Sequence, residues 1–204
     1  SDVCSSDLIH RETAALVFGV DKEAVTPAQR SAAKAVVFGI LYGMGPQRLG
    51  REIGVSLAEA KAFIAHYFKR FPGVHAFVEQ TLAQARQSGE VRTLFGRRRP
   101  VPQLGSSSPM ERAAAERVAV NTPVQGTAAD LIKRAMLAVQ RGLAHGGHAA
   151  RLVLQVHDEL VLEVPEAEVA PVAALVRAAM TGAAELAVPL QVDLRTGHSW
   201  AEAH

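Results

Sequence analysis

The sequence predicts an α+β fold in which a helix-rich N-terminal part precedes a small antiparallel sheet near the C-terminus. Apolar residues at helical spacing, bounded by capping residues, fill most of residues 9–88. Two runs rich in Val and Leu then flank a two-residue step within residues 152–164, which is typical of a hairpin. The composition, with 49% hydrophobic and only 5% aromatic residues, favours a soluble, helix-rich globular protein.

Length and composition limit the class of protein further. A chain of 204 residues predicts one large domain or two small ones. No apolar run reaches the roughly 18 residues that span a bilayer. Cys4 has no second cysteine to pair with, so we expect no internal disulfide and a reducing cytoplasm. The net charge of +2 does not by itself indicate a nucleic-acid partner.

The N-terminal helices are predicted from their start and stop signals. Thr26 is a good N-cap with Pro27 at the first helical position, and Ser56 with Glu59 forms a capping box. The first eight residues lack apolar periodicity, so we expect a loose or non-native end there. The predicted helices cover residues 9–18, 26–41, 56–71 and 74–88.

The remaining elements are punctuated by Gly, Ser and Pro. Residues 90–104 are predicted to be irregular or short β structure, and Gly105–Pro109 to be a flexible joint at a subdomain boundary. Pro123 and Gly126 interrupt the helical pattern that follows. The predicted elements are helices 110–120, 127–144 and 166–186, the hairpin 152–164, and a last strand at 190–194.

The helix over residues 26–41 carries a repeat of four that matches the shape of a nucleoside triphosphate. Arg30, Lys34, Phe38 and Tyr42 are four residues apart, so they share one face of the helix. Cations in the N-terminal half favour phosphate binding, and aromatic rings at the other end favour stacking with a base or sugar. Two surface cations followed by two core aromatics explain the same spacing, and the pattern alone leaves both interpretations open.

The hairpin tip carries the second chemical signal. Asp158 and Glu159 lie between the two apolar runs, at a turn without glycine. Two carboxylates held at the end of a small sheet suit a divalent metal, because hard cations such as Mg²⁺ prefer carboxylate oxygens.

A third signal is the cluster of three arginines at residues 97–99. Gly96 precedes it and Pro100 follows it, so the segment is predicted to be a loop or ribbon. It is either a solvated surface loop or a strip that contacts phosphates.

Four segments together resemble the family A DNA polymerases, the DNA polymerase I type. Arg30-Ser-Ala-Ala-Lys-Ala-Val-Val-Phe-Gly-Ile-Leu-Tyr-Gly43 resembles the fingers helix of that family. The other three, in the same order as in the family, are Thr93-Leu-Phe-Gly-Arg-Arg-Arg99, Asn121-Thr-Pro-Val-Gln-Gly-Thr-Ala-Ala-Asp130 and Gln155-Val-His-Asp-Glu-Leu160. The resemblance runs from Ile9 to His204. It implies a fingers subdomain over 9–106 and the C-terminal part of the palm over 107–204, an incomplete right-hand fold.

The resemblance also implies a role for each matching residue. Arg30 and Lys34 hold the triphosphate, and Lys34 protonates the leaving pyrophosphate. Phe38 packs against the incoming sugar, and Tyr42 stacks at the templating position. Asp158 is similar to the palm metal-ligand aspartate, with Glu159 as the neighbouring acid of the catalytic centre.

Further residues are implied to contact DNA. Arg117, Asn121 and Gln125 resemble the residues that touch the minor groove of the nascent duplex, where Asn and Gln sense shape rather than sequence. His157 lies near the primer end, and Arg97 and Arg98 contact the DNA backbone. Taken singly, some positions keep structural explanations: Gln125 as a helix cap and His157 as a turn residue. Asp130, in the same signature as Gln125, is explained as a structural hydrogen-bond acceptor rather than a metal ligand.

The implied activity is DNA-directed DNA synthesis, with dNTPs added to a primer 3′ end by phosphoryl transfer at two Mg²⁺ ions. The implied partners are primer-template DNA and dNTPs. The implied setting is replication or repair by a monomer in the bacterial cytoplasm.

The sequence departs from the family pattern in three places. The family has a first metal-binding aspartate before the fingers helix, within a segment resembling Asp-Tyr-Ser-Gln-Ile-Glu, and nothing similar precedes Ile9. We therefore expect an incomplete metal centre and no thumb, so that an incompetent fragment that only binds DNA or nucleotide is the alternative. Val37 and Ser31 replace the usual Asn and Arg, which weakens contacts expected near the template and the phosphates.

Overall fold

The computed structural model describes residues 5–203, with side chains from residue 10 onward. Within that range the fold is α+β, as predicted, with nine α-helices and two antiparallel sheets of two strands each. The first helix, α1, spans Ser5–Phe18, so residues 5–8 are helical rather than a loose end, and residues 1–4 lie outside the described residues. None of the described helices combines the length and the apolar character needed to span a membrane.

The chain divides into two compact units. The first unit comprises the residues up to Arg92 together with Arg98–Pro123, and the second comprises Thr93–Arg97 and Val124–His204. The division at Pro123 lies beyond the joint predicted at Gly105–Pro109. That joint is held locally, because the Arg112 guanidinium donates to the carbonyl oxygens of Ser106 and Ser107 at 2.6 and 2.9 Å. The assignment of fingers and palm to particular residues stays a prediction.

Six helices form most of the first unit. The predicted caps are confirmed, since Thr26 with Gln29 and Ser56 with Glu59 both make reciprocal capping boxes. One helix was not predicted: Pro46 looks like a helix stop in sequence but occupies the first helical position after Gly45. The six helices are α1, α2 (Pro27–Leu41), α3 (Pro46–Ile53), α4 (Leu57–Arg70), α5 (Pro72–Ser88) and α6 (Pro109–Asn121).

The core of this unit lies under α2. Apolar side chains of α2 and α3 pack with Tyr67 of α4, and Leu49 is fully buried. Val37, at the position where the family usually has Asn, belongs to this core and is 7% exposed. The unit also holds a two-stranded ribbon of β1 (Glu90–Arg92) and β2 (Arg98–Pro100), paired with Glu90 opposite Pro100.

The second unit packs the predicted hairpin against helices. Helix α7 spans Thr127–His145, strand β3 Arg151–Val156, strand β4 Glu159–Glu163 and helix α8 Val169–Thr181. Strands β3 and β4 pair antiparallel, which confirms the hairpin. Leu160, Leu162 and Val164 pack onto a core formed by α7 and α8.

The C-terminal predictions are partly wrong. Helix α8 is shorter than the predicted 166–186, because a 3₁₀ turn, Glu166–Glu168, precedes it and Gly182 ends it. The predicted strand at 190–194 is irregular backbone. Its Val192 carbonyl accepts a hydrogen bond from the Arg177 side chain at 2.8 Å, so a side chain replaces the strand partner. The last helix, α9, spans Trp200–Ala203.

Candidate active site

Helix α2 is regular, and it and its C-cap carry the four residues that lie four positions apart in the sequence. Its buried residues are Ala33, Val36, Val37 and Ile40, which turn towards the core. Lys34 is exposed and Phe38 is 41% exposed, whereas Arg30 and Tyr42 are partly buried. Phe38 is therefore not a core residue, which removes half of the structural explanation for the spacing.

The aromatic end of this face is organised by ring contacts. Phe38 and Tyr42 stack with ring centroids 6.0 Å apart and an interplanar angle of 20°. His10 of α1 lies on Phe38 at 5.8 Å and 50°, and the histidine is buried. Sequence analysis missed His10, because its neighbourhood depends on the packing of α1 on α2 and no local spacing indicates it.

The end of α2 lies against α6 within the first unit. Gly43 follows Tyr42 with φ of 79°, and a Cβ atom there would lie 2.9 Å from Cγ of Arg117. Glycine is thus required twice, for the left-handed backbone and for the close approach. The fold brings Arg117, which is exposed, next to Gly43, and its contact with DNA stays a prediction.

Asn121 and Gln125 lie at a local irregularity of the helix ladder. A π-helical turn spans Thr122–Gly126, where Pro123 has no N–H to donate. The Asn121 Oδ1 atom is buried and has no hydrogen-bond partner in the part of the chain that the structure describes. Gln125 is exposed and does not cap α7, whose N-cap is Gly126, so capping does not explain this glutamine.

The predicted carboxylates stand at the tip of the β3–β4 hairpin. Val156 pairs with Glu159, which leaves His157 and Asp158 as the two loop residues. His157 has φ of 52°, a left-handed conformation that two-residue hairpin loops require and that histidine adopts at some cost. The side-chain amide of Gln155, rather than the His157 ring, binds the turn backbone at the His157 carbonyl.

The tip is open to solvent. His157, Asp158 and Glu159 are all exposed. Asp158 has no hydrogen bond or ion pair with any described residue, so its two oxygens are available to a ligand. Among the described residues no three His, Cys, Asp or Glu side chains come together as a metal site.

Arg97 and Arg98 are each bound to a carboxylate. In the first unit Arg98 Nε donates to Glu90 at 2.7 Å, and Arg92 Nε donates to the same carboxylate at 2.9 Å. These bonds, that of Arg98 first, lower the pKa of Glu90. In the second unit Arg97 Nε donates to Asp130 at 2.6 Å.

Asp130 is a hydrogen-bond acceptor, as one of the alternatives for it predicted. It is 5% exposed and accepts hydrogen bonds from Thr93 Oγ1 and from Arg97 Nε. The bond from Thr93, and then that from Arg97, lowers the pKa of Asp130 below its ordinary value. Its carboxylate is thus committed to two protein donors.

Comparison with known proteins shows which family the sequence matches. The sequence model of DNA polymerase family A matches residues 4–202. DNA polymerase I of Pseudomonas aeruginosa is 53% identical over 196 residues, which are 96% of this chain and 22% of that protein. The thermostable DNA polymerase I of Thermus aquaticus is 51% identical over 195 residues, which are 96% of this chain and 23% of that protein.

A solved structure is similar over nearly the whole chain. The POL domain of Pol1 from M. smegmatis, in complex with DNA primer-template and dNTP, matches with a TM-score of 0.88 and 42% identity, covering 95% of this chain and 34% of the other. The chain belongs to DNA polymerase family A. It spans about a quarter of the length of the DNA polymerase I relatives that it matches.

Proposed function

We propose that this chain supplies the nucleotide-binding face and part of the catalytic centre of a DNA-directed DNA polymerase. Its membership of family A and the exposed face of α2 support this function. Two cations followed by a stacked aromatic pair fit a triphosphate at one end and a sugar and base at the other. The solved relative with DNA primer-template and dNTP supports the same two ligands.

Each residue of the α2 face has a distinct task in this proposal. Arg30 and Lys34 bind the triphosphate, and Lys34 donates a proton to the departing pyrophosphate. Phe38 packs on the sugar, and Tyr42 stacks at the templating position. Transfer of a phosphoryl group depends mainly on positioning and charge neutralisation, which a rigid helix with two cations provides.

Asp158 is our proposed metal ligand, with Glu159 beside it. The donor set fits Mg²⁺, because Asp158 offers hard oxygens that are exposed to solvent. When bound, Mg²⁺ would activate the primer hydroxyl and stabilise the departing phosphate oxygens. Our proposed DNA contacts are Arg97, Arg98, Arg117, Asn121, Gln125 and His157.

The setting is proposed with the function. The ligands are primer-template DNA and dNTPs, and we propose a monomer that acts in replication or repair in the bacterial cytoplasm.

Primer extension tests the catalytic part of the proposal. Purified chain, primer-template, dNTPs and Mg²⁺ are combined, and incorporation that Asp158→Ala abolishes would establish catalysis by this chain. Glu166→Ala, an exposed carboxylate of the same unit, is the matched control and should not change incorporation.

Binding without catalysis is the second candidate. It is favoured by the tip itself, where Asp158 and Glu159 provide two carboxylates and the described residues gather no third metal-ligating side chain. It predicts that the chain binds labelled primer-template and dNTP but incorporates no nucleotide. Failure to bind either ligand would contradict both candidates.

A further inference from the structure

The first turns of α7 bind the turn Thr93–Arg97, which belongs to the same compact unit. Thr127 Oγ1 accepts a hydrogen bond from the Leu94 backbone N–H at 2.9 Å. One helical turn further, Asp130 binds Thr93 and Arg97. These contacts come from one face of the helix, so they act on the turn together.

Another residue of α7, Arg134, contacts the aromatic residue of the turn. The guanidinium carbon of Arg134 lies 4.4 Å from the centroid of the Phe95 ring, a cation–π contact. Arg134 itself is fixed by a bond from its Nε to the Ala183 carbonyl oxygen at 3.1 Å. The turn is therefore held at its backbone, at its aromatic residue and at both of its polar ends.

The two oxygens of Asp130 act at the two ends of the turn. Oδ2 accepts from Thr93 Oγ1 at 2.8 Å, and Oδ1 accepts from Arg97 Nε at 2.6 Å. Thr93 Oγ1 also accepts from the Arg97 backbone N–H at 3.1 Å. The buried carboxylate thus binds the side chain of Arg97 directly and is linked to its backbone through Thr93.

Most of the Arg97 side chain is exposed to solvent. Its side chain is 61% exposed, and the bond that holds it to Asp130 comes from Nε, at the inner edge of the guanidinium. A guanidinium held through Nε keeps its planar pair of Nη groups in one orientation, which suits bidentate binding to a phosphate. An arginine side chain that is not held in this way would lose conformational entropy when it binds a phosphate.

We propose that Asp130 is a positioning residue that holds Arg97 in the orientation in which it binds a DNA phosphate. The inference rests on the proposed function, because it requires that the chain binds DNA. In this proposal Asp130 strengthens DNA binding, although its negative charge alone would weaken it. Removal of a carboxylate beside DNA strengthens binding if only charge matters, whereas loss of a positioning residue weakens it.

The test is titration of labelled primer-template with the full chain at several salt concentrations. We expect Arg97→Ala and Asp130→Ala each to weaken binding about tenfold, the size of a lost charge-assisted hydrogen bond. Each should also reduce the slope of log affinity against log salt by about one, as for one lost phosphate contact. The double variant should bind like Arg97→Ala alone.

Glu166→Ala is the charge-matched control, since it removes an exposed carboxylate of the same unit and should bind as tightly as the wild-type chain or slightly more tightly. If Asp130→Ala does not fold, Asp130→Asn keeps the shape and one acceptor oxygen, and its binding should lie between those of the wild-type chain and Arg97→Ala. An Asp130 variant that binds as Glu166→Ala does, with an unchanged salt slope, would overturn the inference.

A second readout separates this inference from the proposed function. The Nε–Hε resonance of Arg97 in an NMR correlation spectrum should shift in Asp130→Ala without DNA present, and an unchanged resonance would contradict the positioning contact. A chain that shows this shift but binds no DNA would overturn both the proposed function and the inference. Binding that Arg97→Ala leaves unchanged would overturn the inference alone.

Discussion

Helix α2 and the turn Thr93–Arg97 both present cations, but they fix them by different means. Lys34 has no hydrogen-bond or ion-pair partner among the described residues, and only the helix backbone determines where its side chain begins. Arg97 is bound by a buried carboxylate that also binds Thr93. The first arrangement leaves the ammonium free to follow a ligand, and the second determines one orientation in advance.

This difference predicts different consequences of substitution. Residues on the exposed face of α2 should affect ligand binding with little effect on stability. Substitution of residues that fix α2 or the arginines in place should mainly lower the free energy of unfolding. The variants below test that separation, beginning with the largest expected effect.

Lys34→Ala should weaken dNTP binding by about 10- to 100-fold, because a charge-assisted hydrogen bond to a phosphate contributes about 1.5–3 kcal/mol. The free energy of unfolding should change by less than about 0.5 kcal/mol, since Lys34 is exposed. Isothermal titration and urea denaturation measure the two quantities. Lys61→Ala, an exposed lysine on α4, is the control that should change neither; a large loss of stability in Lys34→Ala would contradict the comparison.

Gly43→Ala should lower the free energy of unfolding by about 1–2 kcal/mol, the cost of a left-handed backbone for a residue with a side chain. The new methyl group would also displace Arg117. Gly73→Ala is the control, because Gly73 lies in α5 with open space around it and should gain up to about 1 kcal/mol. Equal effects in the two variants would show that the end of α2 is not constrained.

Thr26→Ala should cost about 1 kcal/mol through loss of the N-cap, as measured by thermal or urea unfolding. We expect a small accompanying loss of dNTP affinity, because fraying of the first turn disturbs Arg30. Thr26→Ser keeps the capping oxygen and should restore most of the stability. Loss of affinity without loss of stability would place Thr26 in the site itself.

Glu90→Gln should give the smallest effect, since its partners Arg92 and Arg98 are mostly exposed. Because hydrogen bonds from Arg98 and Arg92 lower the pKa of Glu90, the stabilisation is complete above the ordinary value of about 4.5. It is lost as the pH falls through the lower pKa of the folded state. The unfolding curves of Glu90→Gln and the wild-type chain should therefore differ above pH 4.5 and converge in acid, whereas the control Glu79→Gln should follow the wild-type chain throughout.

Local sequence signals predicted an element correctly where the residue type concerned has a single structural role. Thr26 with Gln29 and Ser56 with Glu59 act within three residues, so the starts of α2 and α4 were predictable. Two runs rich in Val and Leu around a two-residue step predicted the hairpin. Helix α3 was not predicted, because proline both ends and begins helices. The strand predicted at 190–194 was wrong, because a strand needs a partner that local sequence does not specify.

The sequence by itself determined the face of α2 and the carboxylates of the hairpin tip, because helix spacing and strand pairing are local geometric rules. Only the tertiary structure decided which neighbours complete them. His10 on Phe38, Arg117 beside Gly43, and Asp130 between Thr93 and Arg97 join positions that are distant in the chain. Burial explains why the last of these is specific: a carboxylate removed from water needs donors, and packing determines which donors are within reach.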